Sequence, residues 1–183
     1  MVLENAGVPF DWRDAGIDEN RIKQESLKAG RIPEDLALQL AAAKAMAAAS
    51  SSGTLVIGCD QVLALGNTLF DKPADMDAAR DHLKKFSGRT HRLISAVCLA
   101  EHGAVVWSHV SIANMHVREL SNRFIETYLD REGERILSSV GAYLLEGRGA
   151  QLFERIDGDY FTVLGLPLLP LLEELRKRGI LPA

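Results

Sequence analysis

The sequence predicts an α/β protein with a mixed, twisted sheet flanked by helices. Helical and strand-like stretches alternate along the whole chain, the pattern of a sheet covered by helices. "THRLISAVCLA" and "GAVVWSHVSIANMHV" are two long runs rich in β-branched residues, joined at "EHG" as a hairpin. "DMDAARDHLKKFSG" sets Ala79, Leu83 and Phe86 at helical spacing, with Gly88 just past the end.

The elements come in this order. A short helix over residues 1 to 6 stops at Gly7, and a second covers about Asp18 to Ala29. Pro33, suited to a first helical position, opens a third that runs to about Ala49. "SSSG" at 50–53 is a loop of helix-to-strand length. Residues 54–64 read as a strand pair or one bent strand, and Leu69-Phe70 as a short strand. After the hairpin, "SNRFIETYLD" is a helix capped by Ser121, "AQLFERIDGDY" is strand and turn, and "LPLLPLLEELRKRG" is the closing helix.

Composition removes several classes. With 183 residues, 47% of them hydrophobic, the chain can bury the interior of a single domain spanning 1–183. A formal net charge of −4 argues against nucleic-acid polymers and anionic membranes as partners, although 21 Lys and Arg leave room for local basic pockets. Cys59 and Cys98 show no metal-ligand spacing and read as reduced core residues. "MVLENAGVPF" is unlike a signal peptide, and "LALQLAAAKAMAAA" contains Gln39 and Lys44, as an amphipathic helix does rather than a membrane span. A cytoplasmic protein is expected.

Chemistry is sought first at "VIGCDQV". Asp60 comes after an apolar run and is read as ending a buried strand, the place where open α/β sheets gather ligands. A turn aspartate accepting backbone N–H bonds reads equally well. Lys72 precedes Pro73, which holds its backbone extended, and Asp75 beyond is a helix-cap candidate. Lys44 shares a ladder with Leu36 and Leu40, at the edge of a buried stripe, where a lysine can also snorkel. Two lysines and an aspartate suit a phosphorylated substrate with a divalent cation or a water. No P-loop, dinucleotide fingerprint, His-Glu-x-x-His pair or Gly-x-Ser-x-Gly elbow is present. "SGRTH" puts Arg89 and His91 at a helix-to-strand junction.

"VIGCDQV", "DKP", "SGRTH", "GAYLLEGRG" and "IDGDYFTVLGLPL", in this order and spacing over nearly the whole chain, resemble the Maf family. These are septum-formation-inhibitor-like nucleoside triphosphate pyrophosphatases. The resemblance implies a Maf/ITPase-like fold of two lobes around a central cleft, usually a homodimer. It implies cleavage of a nucleoside triphosphate between the α and β phosphates, with a divalent metal (Mg2+ or Mn2+). Asp60 takes the place of the family's proton acceptor, Lys72 that of the Lys-Pro lysine, and Lys44 that of the helical lysine. The family's Asp-Glu pair matches Asp18-Glu19, so Glu19 is a second carboxylate and, with Asp60, a candidate metal ligand. Arg89, His91 and Asp159, inside the matching motifs, are weaker candidates for phosphate or pocket contacts.

Gln61, where pyrimidine-preferring members have Thr, and Glu146, where they have Gln, resemble the branch that hydrolyses 7-methyl-GTP. A carboxylate can accept from guanine N1–H and its amine, and it favours a positively charged methylated base. Family members open with a strand and a Ser-x-Ser-Pro-Arg-Arg-like loop, whereas "VLENAGVPF" resembles the stretch after those arginines. From this comes a second expectation, a nucleotide-binding or regulatory protein impaired in catalysis for want of that phosphate loop. For the enzyme, Asp60 is expected to be a poor base, its pKa lowered between lysines, taking a proton from water only as a metal acidifies that water. A third expectation is a structural domain with a vestigial pocket.

Overall fold

The computed structural model describes residues 2–49 and 54–182; the "SSSG" loop at 50–53 lies outside them. Among the described residues the order is α1 (Val2–Asn5), α2 (Glu19–Lys28), α3 (Pro33–Ala48), β1 (Val56–Leu65), β2 (Thr68–Phe70), α4 (Met76–Phe86), β3 (Thr90–Glu101), β4 (Ala104–Val117), α5 (Asn122–Glu132), β5 (Phe153–Asp157), α6 (Tyr160–Val163) and α7 (Leu168–Lys177). Two 3-10 helices, Gly133–Ser138 and Arg148–Leu152, lie between α5 and β5. Neither they nor α6 are announced by the sequence pattern.

Helix starts obey local chemistry. Asp18, Asp75, Ser121 and Asp159 each accept a backbone N–H from the first turn of the helix they precede, and Pro33 opens α3. Each bond satisfies a donor that the helix cannot. The role of Asp159 is a finding, since its motif suggests a pocket residue.

The α/β class holds, but the sheet is antiparallel rather than mixed, in the order β2-β1-β3-β4-β5. Hairpins set two of its pairings, β1 with β2 and β3 with β4. Leu65 pairs with Thr68 across a two-residue turn whose Gly66 has φ +60°. His102 and Gly103, at φ 50° and 75°, turn β3 into β4. Residues 54–64 contain no strand pair, since β1 is one strand of ten residues. Asp60 therefore lies within a strand, not at its end: the buried run Val62–Leu65 carries the ladder on past it.

The chain divides into two compact units. In the first (2–61, 94–112 and 159–182 of the described residues), Val8, Val97 and Leu99 pack with Leu168, Leu171 and Leu175 of α7. Each such side chain contributes on the order of 1.5–3 kcal/mol through burial. Cys98 is buried in this unit. Cys59, expected in the core, is exposed. Strand alternation turns it away from the face that α3 covers at Gly58.

The second unit comprises 62–93 and 113–158. Its interior includes a chain of rings in which Phe70, His82, Phe86, His91, Tyr143 and Phe153 meet at centroid distances from 4.6 to 6.1 Å. Glu132, at the end of α5, has a fully buried carboxylate that accepts from Arg135 Nε at 3.0 Å, from Arg135 Nη2, and from Arg148 Nη1 at 3.3 Å. Two guanidinium groups thus compensate one buried charge.

Candidate active site

Gly58 sets the geometry of the first unit. A Cβ at this position would lie 2.3 Å from the Ala41 carbonyl oxygen and 2.4 Å from the Ala45 nitrogen. Without it, the backbone of α3 rests directly on β1. Lys44, on the same stretch of α3, then meets Asp60, two residues along the same strand face as Gly58. Its Nζ is 2.5 Å from Asp60 Oδ1 and 2.8 Å from Glu19 Oε1. Asp18 caps α2 by accepting from Arg21 N at 2.9 Å, so Glu19 is the first residue of a fixed helix.

One ammonium is shared by two carboxylates. The Asp60 side chain is 10% exposed and that of Glu19 42%, so one is sheltered and the other open to solvent. Burial raises the Asp60 pKa, and the Lys44 hydrogen bond opposes this without reversing it; the Glu19 charge adds to the rise. This corrects the expected lowering: desolvation outweighs the divided Lys44 charge and the smaller effect of Lys23. For Lys44 burial pulls the pKa down, but the bonds to Asp60 and Glu19 overcome it and the net direction is up. Lys44 therefore stays charged, while Asp60 is a better proton acceptor than a free aspartate.

The donor set fits a hard divalent cation. Two carboxylates reach one common positive group. Among the described residues no third carboxylate, histidine or cysteine joins them, so they make no cage of their own. Magnesium is ordinarily held by one or two carboxylates together with substrate phosphates and waters.

Gln61 turns to the opposite face of β1 from Asp60. Its Nε2 donates to Ser95 Oγ at 2.9 Å, to the Thr162 carbonyl at 2.9 Å and to the Val163 carbonyl at 3.2 Å. The buried Ser95 hydroxyl itself donates to the Thr162 carbonyl at 2.8 Å. Asp159 holds this segment by accepting from Thr162 N at 3.0 Å and from the Thr162 hydroxyl. Asp159 thus organises the carbonyls that hold Gln61.

The other sequence candidates belong to the second unit. Lys72 is exposed in the segment after β2, and Pro73 behind it is buried. Arg89 is exposed in the turn from α4 to β3, whose Gly88 has φ +65°. Glu146 is exposed between the two 3-10 helices. His91 differs from expectation. It is fully buried, with Nε2 2.7 Å from the Tyr143 hydroxyl, and burial pushes its pKa down to about 3. An enclosed, neutral ring cannot meet a dissolved phosphate, so His91 is a packing residue.

Sequence reading missed Gly58, Ser95, Thr162 and Val163. Gly58 was visible, because a glycine inside an apolar strand signals a close backbone approach. The other three offered no local signal. A cavity of about 310 Å³ lined by Ile22, Ser26, Arg31 and Gln39, among others, includes none of the candidate residues in its wall.

Known proteins share this sequence over nearly its full length. The family model described as "Maf-like protein" matches residues 1–178. The chain is 55% identical over 177 residues to a protein of Brucella suis named 7-methyl-GTP pyrophosphatase, covering 96% of this chain and 89% of that one. A Rhizobium meliloti protein of the same name is 53% identical over 183 residues, covering all of this chain and 92% of its own. A Hyphomonas neptunium protein named nucleoside triphosphate pyrophosphatase is 48% identical over 182 residues, covering 99% of this chain and 91% of its own. Among the described residues no helix is long and apolar enough to cross a membrane.

Proposed function

Because this chain belongs to the Maf-like protein family, we propose that it hydrolyses a nucleoside triphosphate to the monophosphate and pyrophosphate, with 7-methyl-GTP its best substrate. The observation that carries the reading is the Lys44 ammonium between Asp60 and Glu19, in motif positions that match the family. The names of the relatives support an enzyme over a binding-only protein, and those of Brucella suis and Rhizobium meliloti support the methylated base.

In this mechanism water attacks phosphorus, and positioning and charge neutralisation lower the barrier. Asp60, its pKa raised by burial, accepts the proton of the attacking water. Lys44 keeps Asp60 in place and offers positive charge to the phosphate oxygens as negative charge builds there. Asp60 and Glu19 would hold Mg2+ or Mn2+ together with phosphate oxygens. When bound, the ion acidifies water and neutralises phosphate charge. The resemblance adds Lys72 and Arg89 as contacts for the triphosphate, and Gln61 and Glu146 as contacts for the base. A homodimer and a cytoplasmic location complete the proposal; sedimentation velocity tests the first and cell fractionation the second.

The deciding experiment is pyrophosphate release by the purified chain with magnesium or manganese, over the common nucleoside triphosphates and 7-methyl-GTP. Release led by 7-methyl-GTP is expected. Nucleotide binding without release from any of them would sink the enzyme reading and leave a binding protein.

A further inference from the structure

The Gln61 amide has a defined orientation, and chemistry alone fixes it. The Thr162 and Val163 carbonyls can only accept hydrogen bonds, so the group facing them is the NH2. Rotating the amide by half a turn would set three oxygens against one another. Nε2 has two hydrogens and three acceptors within 3.2 Å, so it has none to spare for a ligand. Gln61 is half-buried, and its remaining polar atom, Oε1, is a pure acceptor with two lone pairs.

Ser95 is central to this arrangement. It is fully buried at the start of the first unit's share of β3, and its hydroxyl both accepts from Gln61 and donates to the Thr162 carbonyl that Gln61 also uses. Thr162, also fully buried, is fixed in turn by both oxygens of Asp159. Buried polar groups joined in one satisfied network hold a single arrangement.

We propose that Ser95 is a positioning residue for base choice: by accepting from Gln61 Nε2 and donating to the Thr162 carbonyl, it holds in place the amide whose NH2 the Thr162 and Val163 carbonyls turn toward the protein, so that the Gln61 carbonyl oxygen becomes a hydrogen-bond-acceptor subsite. Such a subsite takes a base edge carrying N–H groups, as guanine does at N1 and its exocyclic amine. It rejects a carbonyl at the same place, as uracil presents at O4. The inference rests on the nucleotide reading above and names which atom of Gln61 selects.

The test measures guanine-over-uracil preference in two ways, as the kcat/KM ratio for GTP against UTP and as the ratio of their equilibrium binding constants without metal. Gln61→Met keeps the side-chain length and removes both polar groups, whereas Ser95→Ala removes only the support that the hydroxyl gives to the amide and to the Thr162 carbonyl. Gln61→Met is expected to lower the preference about tenfold or more, the loss of one good hydrogen bond. Ser95→Ala should lower it by about threefold to tenfold, through KM and the binding constant rather than kcat. Ser95→Thr keeps the hydroxyl and should restore most of the preference. An unchanged ratio in Ser95→Ala, with only a lower melting temperature, would overturn the inference whatever Gln61→Met does, and make the network a brace between β1 and α6. If wild type binds guanine preferentially but releases no pyrophosphate, the enzyme reading fails while the binding ratios still decide for or against Ser95. Absence of any base preference in wild type would overturn the inference too.

Discussion

Each unit of the molecule contains a carboxylate matched with cations, and the two sites are built for opposite ends. In the first unit one lysine is divided between Asp60 and Glu19, leaving one carboxylate open to solvent. In the second, one fully buried carboxylate, Glu132, takes two arginines. Lysine is a compact point charge on a flexible stem, easily shared with an incoming phosphate, whereas the arginine fork gives up its partners less readily. A shared, partly exposed ammonium suits a site that exchanges ligands. A surplus of cation around a buried anion suits a clamp.

Substitutions can break or sharpen that contrast. The largest effect is expected at Asp60→Asn: about a thousandfold less pyrophosphate release, roughly 4 kcal/mol in the barrier. Its thermal midpoint near neutral pH should be unchanged or higher. The folded-state pKa of Asp60 is raised, so its ionised form opposes folding at neutral pH and its contribution favours folding only at acid pH. A marked loss of stability instead would make Asp60 a structural ion.

Gly58→Ala comes next. A Cβ 2.3 Å from a backbone oxygen forces α3 off β1, costing about 3 kcal/mol and parting Lys44 from Asp60. Chemical denaturation and activity should fall together; a silent variant would show that close approach is not what assembles the pair. Glu132→Gln should do the reverse of Asp60→Asn, lowering stability by about 2 kcal/mol while kcat holds. A loss of kcat with unchanged folding would erase the distinction between clamp and site.

One further effect builds up gradually with pH. His91 is held neutral down to about 3, whereas in the unfolded chain it takes a proton near its ordinary value of 6.5. Stability is therefore complete above pH 6.5 and is lost as pH falls toward 3, by about 1.4 kcal/mol per unit. His91→Asn should remove that increment from a plot of unfolding free energy against pH. An identical slope would assign it to other groups.

What could be read from the sequence was local. Caps at Asp75 and Ser121 and the proline start of α3 depend on residues within a turn of one another, and all three stand in the structure. The family motifs pointed to Lys44, Glu19 and Asp60, which the fold brings together. The reading failed where the partner is remote or where burial decides. His91 looks like a loop residue in sequence because nothing nearby announces Tyr143, 52 positions away. A lowered pKa is expected for Asp60 because charges can be counted in a sequence and desolvation cannot. Asp159 carries the signature of a cap, but its motif draws attention to ligands instead.

The distances along the chain also order assembly in time. Lys44 and Asp60 are 16 residues apart, Gln61 and Thr162 101. Closing the longer loop costs about 1.6 kcal/mol more in chain entropy. On a growing chain, moreover, the ammonium and its carboxylate have both emerged long before Thr162 exists. The charged pair can thus form from the first third of the polypeptide alone, whereas the setting of the Gln61 amide waits for nearly the last residues to be made.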